Sequence, residues 1–159
     1  MLYGDGNGKD TLKRIGYTYS DLNDDGIQEL LITDITESKK QDTIFDIFTM
    51  VNRKPAHVIS GWERNRFYSH ENSLIVNEFS NSAFESGKFV YNLESNGTNL
   101  VYQLGIKYDS NEDNPYFLSY DNKGDDYFWF DSNETEYKQF DERFSNYVKF
   151  DFTELNKFK

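Results

Sequence analysis

Cysteine is absent from the 159 residues. That excludes disulfide staples, thiolate metal ligands and cysteine nucleophiles, and it leaves the compartment open. Proline occurs only twice, and no Pro/Gly/Ser-rich linker divides the chain, whose length suits one domain. No run of about 18 apolar residues is present, so no segment reads as a bilayer-spanning helix. Basic residues are scarce. Lys plus Arg number 17 against 28 Asp plus Glu, a formal charge of −11. Nucleic acids and anionic membrane surfaces are therefore poor partners, because both are held by cationic side chains. The mean hydropathy of −0.82 reflects few aliphatic residues. What is abundant is aromatic: 14 Phe, 12 Tyr and 2 Trp, each able to bury roughly 150–250 Å².

The first residues, Met1-Leu2-Tyr3-Gly4-Asp5, have neither the basic nor the apolar stretch of a signal peptide. Gly4-Asp5-Gly6-Asn7-Gly8-Lys9 reads as flexible, so residues 1–14 are expected to be a lead-in and 15–159 a single β-rich domain. A helix near 12–15 is only weakly signalled. Beyond that point strand patterns dominate. Residues 29–35 carry Leu30-Leu31-Ile32, apolar toward both faces as in a central strand. Residues 43–51 are β-branched and aromatic, and Asn52-Arg53-Lys54-Pro55 turns the chain into 56–62. Residues 66–70 and 73–79 pair around Glu71-Asn72. Phe89, Tyr91 and Leu93, then Leu100, Tyr102 and Leu104, alternate on either side of Asn96-Gly97, a hairpin signal for a type I′ turn. Residues 116–120 and 127–130 read as a further pair. Tyr137, Phe140, Phe144 and Tyr147 fall at helical spacing, with Ser132 or Asn133 as cap. The expected fold is mainly β (α+β): an antiparallel curled sheet or two-layer β structure with one short C-terminal helix.

One segment carries chemistry. In Asp21-Leu22-Asn23-Asp24-Asp25-Gly26-Ile27-Gln28-Glu29, side-chain oxygens stand at positions 1, 3, 5 and 9, with glycine at position 6. A hard divalent cation needs this pattern. Asp21, Asn23 and Asp25 converge if Gly26 takes the sharp turn, the Ile27 carbonyl fills position 7, and Glu29 binds directly or through water. Asp24 lies between ligand positions and is expected to point outward. Position 12 of a full EF-hand is Ile32, so water must complete the shell. The expected affinity is weak, roughly 10⁻⁴–10⁻³ M, with calcium preferred over magnesium. The same residues also suit a tight turn in which Asp21 and Asn23 accept backbone amides without a metal. Both readings stand at this point.

Residues 17–32 resemble the Y-x-L-Y-D-I-D-G-D-G-I-P-E-L-L-I signature of uncharacterised exported proteins and lipoproteins of low-GC Gram-positive bacteria. The loop is also similar to D-x-[DN]-x-D-G-x-x-[DE]-L of FG-GAP and integrin-type propeller repeats, where it precedes a strand. The resemblance implies calcium held by Asp21, Asn23, Asp25, the Ile27 carbonyl and Glu29, in an exported setting, and it assigns no activity. Asp24 stands where the pattern has glycine, and a single copy of the loop builds no propeller.

Other candidates are weaker. Asp109-Ser110-Asn111-Glu112-Asp113 repeats the 1-3-5 spacing, but Phe117 at position 9 cannot ligate. Gly4 to Lys9 fails the phosphate-loop pattern. His57 and His70 have no metal-ligand spacing, and no G-x-S-x-G elbow is present. Glu78 with Glu85 is a candidate carboxylate pair for glycan hydrolysis. Trp62 and Trp129 are either core filling or a platform for a sugar or peptide. The leading expectation is a non-catalytic exported or cell-surface binding module, its leader outside this chain, with a weak structural calcium loop and a protein or glycan partner. An envelope-polymer hydrolase and an intracellular acidic interaction protein are the alternatives.

Overall fold

The computed structural model describes residues 8–124 and 126–158. In chain order the elements are α1 (Gly8–Arg14), β1 (Ile15–Ser20), β2 (Glu29–Asp34), β3 (Lys40–Gln41), β4 (Thr43–Ile44), β5 (Asp46–Val51) and β6 (Lys54–Ser60). They continue with β7 (Asn65–His70), β8 (Leu74–Ser80), β9 (Glu85–Leu93), β10 (Leu100–Asp109), β11 (Tyr116–Ser119), β12 (Asn122–Lys123), β13 (Asp126–Tyr127) and β14 (Phe130–Asp131). The chain closes with α2 (Glu134–Arg143), β15 (Phe150–Asp151), β16 (Thr153–Glu154) and a short 3₁₀ turn, Leu155–Lys157.

The main strands form two antiparallel sheets, ordered β16-β1-β2-β5-β6 and β14-β11-β10-β9-β8-β7-β4. They face each other as two layers. Leu31 and Ile47 of the first sheet meet Ile44, Phe67, Ile75 and Leu93 of the second, with Leu22 and Phe152 closing the ends. Leu31, Ile44, Ile47 and Ile75 are wholly excluded from solvent. The few aliphatics are thus concentrated between the sheets, where branched chains fill a thin layer at high density. Along β2 the inward residues are Glu29, Leu31 and Thr33, while Leu30 and Ile32 are half-buried outside.

Aromatics cover the opposite face of the seven-stranded sheet. There α2 and the residues after it bring Phe140, Phe144 and Tyr147 onto Val76, Val90, Leu74 and Leu104. The helix begins as its sequence suggests: Asn133 caps it by accepting the Glu136 amide at 3.0 Å. A buried lysine holds it down. Lys88 Nζ lies 2.7 Å from Asp141 Oδ1 and donates to Ser145 Oγ at 2.6 Å. The Tyr147 hydroxyl donates to Glu78 Oε1 at 2.6 Å, and its ring stacks on Tyr68 at 4.0 Å. A charge so placed needs these partners, because burial unpaired is costly.

Several expectations change. Residues 43–51 divide at Phe45 into β4 and β5, which join different sheets, and the aromatic spacing that continues to Tyr147 outruns α2, which ends at Arg143. The flexible lead-in over 1–14 divides: residues 1–7 lie outside the described residues, and Gly8–Arg14 is helical. Seven residues cannot hold a helix alone. α1 packs against β16 and the closing 3₁₀ turn, partners some 140 residues away that local pattern does not reveal. Asn96-Gly97 does turn β9 into β10, but over six residues, closed by the Glu94 amide on Asn99 O at 2.9 Å. Only Asn96 takes a left-handed φ, of 54°, so this is not type I′; Asn52 and Arg53 between β5 and β6, at 51° and 63°, match that turn instead. Finally, β11 pairs with β14, and 122–127 form a separate small hairpin.

Phe144 is 3% exposed between α2 and the sheet. Phe144→Ala is expected to cost about 3–5 kcal/mol in urea unfolding. Phe128→Ala, at a half-exposed ring, should change stability by no more than about 0.5 kcal/mol.

Candidate functional site

The 21–29 loop joins β1 to β2, and its side chains close it on itself. Asp21 accepts the amides of Asp25 at 3.2 Å and Gly26 at 2.9 Å. Asn23 Oδ1 accepts the Asp25 amide at 3.2 Å, and Asp25 Oδ1 accepts the Ile27 amide at 2.8 Å. Gly26 has φ 86°, where a side chain is strained. Asp24 sits at φ 58° without that freedom. It does not simply point outward: its carboxylate accepts the Ser73 hydroxyl.

That contact is one of several by which the loop clasps the second sheet. Asp25 Oδ2 accepts the Asn96 amide at 2.9 Å, and Asn23 Nδ2 donates to Glu94 O at 3.3 Å. The loop thus binds the β7–β8 turn through Ser73 and the β9–β10 turn through Glu94 and Asn96. It also walls a polar depression of about 410 Å³ shared with Ser69 and His70.

Glu29 anchors the loop from beneath. It is 0% exposed, its Oε2 accepting the Leu22 amide at 2.8 Å and its Oε1 the Thr49 hydroxyl at 2.8 Å. Burial pushes its carboxyl above the usual range, and the negative charges of Asp25 and Asp21 add to the effect. Asp25 moves the other way, held low chiefly by the Asn96 amide.

Of the five residues read as calcium ligands, the structure gathers Asp21, Asn23 and Asp25 in the bend. Glu29 lies below it, engaged by Leu22 and Thr49; Ile27 follows the glycine. Among the described residues no group of three or more His, Asp or Glu side chains is gathered as a metal centre. Nor does any described Lys, Arg or His pair with Asp21, Asp25 or Glu29. Each carboxylate oxygen that accepts one N–H keeps a second lone pair. The bend's donors are therefore chemically suited to a hard cation, with Glu29 acting through its charge and its hold on Leu22.

The carboxylate pair does not form. Strand alternation puts Glu78, opposite Lys88, and Glu85 on different faces of the sheet. Glu78 is taken by Tyr147 and Lys88, and Glu85 lies near Lys107 and accepts from Asn81. His57 meets Ser60 and Asp46, a trio the spacing did not suggest. The same nitrogen, Nε2, faces both partners, and the Ser60 hydroxyl donates to Asp46, so this is not the relay that activates a serine. The His70 ring nitrogens face the carbonyls of Glu71 and Arg143. Residues 110–115 form the β10–β11 hairpin loop, where Asp109 at the end of β10 accepts the Asn111 amide. Thr49, Ser73 and Asn96 complete the clasp, and nothing in their own sequence neighbourhoods marks them.

Glu29→Ala strands the Leu22 amide and Thr49 hydroxyl, and is expected to cost about 2–4 kcal/mol. Glu29→Gln keeps both contacts, since its carbonyl accepts Leu22 and its amide meets Thr49 Oγ1. A carboxyl that holds its proton more tightly when folded favours the native state in acid and disfavours it once ionised. Wild type should therefore lose stability relative to Glu29→Gln as pH rises above 4.5 through the folded value, measured as paired urea midpoints. Comparison with protein-family models, curated proteins and solved structures finds no match to this chain.

Proposed function

We propose that this chain is a non-catalytic binding module of an exported or cell-surface protein, with the 21–29 loop taking calcium weakly and thereby locking its two sheets together. The observation that carries the reading is the concentration of Asp21, Asp25 and buried Glu29 at the sheet–sheet clasp with no cationic side chain among the described residues to balance them. A divalent ion on Asp21, Asn23 and Asp25, with the Ile27 carbonyl and water, offsets that repulsion. The resemblance of residues 17–32 to D-x-D-x-D-G-x-x-E-L loops supports the same assignment and the exported setting. Millimolar external calcium suits a site of roughly 10⁻⁴–10⁻³ M affinity, whereas resting cytosolic levels leave it empty.

The non-catalytic half of the reading is supported by the dispersal of Glu78 and Glu85 and by the geometry around His57. Among the described residues no helix is long and apolar enough to cross a membrane.

At about ten times Kd, bound calcium adds roughly 1.4 kcal/mol, or about 3–5 °C in Tm for a domain of this size. The melting temperature should rise by that amount between chelator and about 5 mM calcium. Asp25→Ala should abolish the rise. Equal melting in the two buffers would show that the bend holds by its own amide contacts.

A further inference from the structure

The turn from Trp62 to Asn65 sits beside the half of the seven-stranded sheet that the first sheet does not cover. It is clamped by reciprocal backbone bonds, Trp62 N to Asn65 O at 2.9 Å and Asn65 N to Trp62 O at 2.8 Å. The Trp62 it carries is 56% exposed, so a large apolar side chain faces water. Next to it a line of rings crosses the sheet. Phe79 stacks on Phe89 at 4.6 Å, Phe89 stacks on Tyr127 at 4.2 Å, and Trp129 lies 5.9 Å from Phe89. Gly87 makes room for this: a Cβ there would come within 2.7 Å of Phe79 Cζ and 2.1 Å of the Ile106 carbonyl. Trp62 shares a cleft with Phe79 and Phe89, and Trp129 lies against Phe89 and Tyr127.

Between Trp62 and these rings is an open cleft of about 400 Å³, within the usual size of small-ligand sites. Its polar lining is built rather than incidental. Asn77 is 4% exposed, and both its amide hydrogens are committed, to Asn65 Oδ1 at 2.6 Å and Arg66 O at 3.1 Å. Among the described residues nothing donates to its carbonyl oxygen. Since no buried side-chain oxygen or nitrogen among the described residues lacks a partner, that oxygen opens on the cleft as an acceptor. Arg64 lines the other side, its guanidinium without a side-chain partner among the described residues, and Ser80 adds a hydroxyl. Among the described residues no carboxylate lines the cleft.

We propose that this cleft binds carbohydrate, seating a neutral pyranose ring of a glycan chain on the exposed Trp62 side chain. A pyranose presents an apolar C–H face that packs flat on an aromatic ring, and a rim of hydroxyls that both donate and accept. The cleft supplies the matching set: Asn77 Oδ1 accepts, Arg64 donates, and Ser80 Oγ, whose proton goes to the Ser82 carbonyl at 3.2 Å, accepts. A peptide adding to the sheet needs an open strand edge, whereas β8 and β9 are paired on both sides. A polyanion is disfavoured by the charge of −11.

This inference rests on the binding-module reading and is independent of the metal, so its test is run both in chelator and in calcium. The probes are the soluble β-1,4-linked hexasaccharides of glucose and of N-acetylglucosamine, titrated by calorimetry and by tryptophan fluorescence. At least one should bind saturably with Kd of about 0.1–1 mM. Trp62→Ala, at a side chain exposed enough for folding to survive its loss, should weaken binding by about tenfold or more in calorimetry. Three results overturn the proposal: no response to either sugar at 10 mM, unchanged affinity in Trp62→Ala, or a response only to an unfolded peptide mixture. Sugar binding that persists without any calcium effect on melting removes the metal reading alone.

Discussion

A carboxylate without access to water governs one end of this molecule. Glu29 begins the central strand β2, faces the space between the sheets, and accepts from both the loop behind it and β5 beside it. Burying that charge is costly, and only the Leu22 amide and Thr49 hydroxyl make it tolerable. Because the Leu22 amide is one of them, the loop cannot lift without stripping Glu29 of half its hydrogen bonding. Because Leu22 itself belongs to the intersheet core, lifting the loop also exposes apolar surface. Loop position, strand register and core closure are one constraint.

The same logic explains why the loop's acidic residues sit where they do. Asp24, Asp25 and Asn23 each reach a turn of the other sheet. Their hydrogen bonds are local in the loop and long-range across the sandwich, so the bend is both a turn and a clasp. Like charges gathered at such a joint oppose closure, which is the repulsion that the proposed cation would offset. The far face is organised differently. There one lysine, Lys88, gathers Asp141, Ser145 and Glu78 under α2, and no ion is called for.

Much of the architecture was legible in the residues. Alternation marked β9 and β10, β-branched and aromatic composition marked β5, and the helical spacing that starts at Tyr137 and Phe140 marked α2, because these signals arise from neighbours on one element; Phe144 and Tyr147 continue the spacing beyond Arg143, where the helix ends. The bend at Gly26 was legible for the same reason. What escaped were features set by distant partners. α1 depends on the chain's end, the pairing of β11 with β14 passes over an inserted hairpin, and the Asn96 amide is claimed by Asp25 across 71 residues.

Local chemistry alone dictated a mainly antiparallel β chain with one aromatic-striped helix and an acidic, glycine-hinged bend before a Leu-Leu-Ile strand. Periodicity and turn propensity act over a few residues, so they survive in the one-dimensional string. Folding alone decided that Glu29 is buried beneath that bend, that Glu78 and Glu85 part to opposite faces, and that Trp62 stands beside Phe79 and Asn77. Those arrangements follow from sheet order and register, where contacts between residues dozens of positions apart are chosen by which surfaces can be buried together.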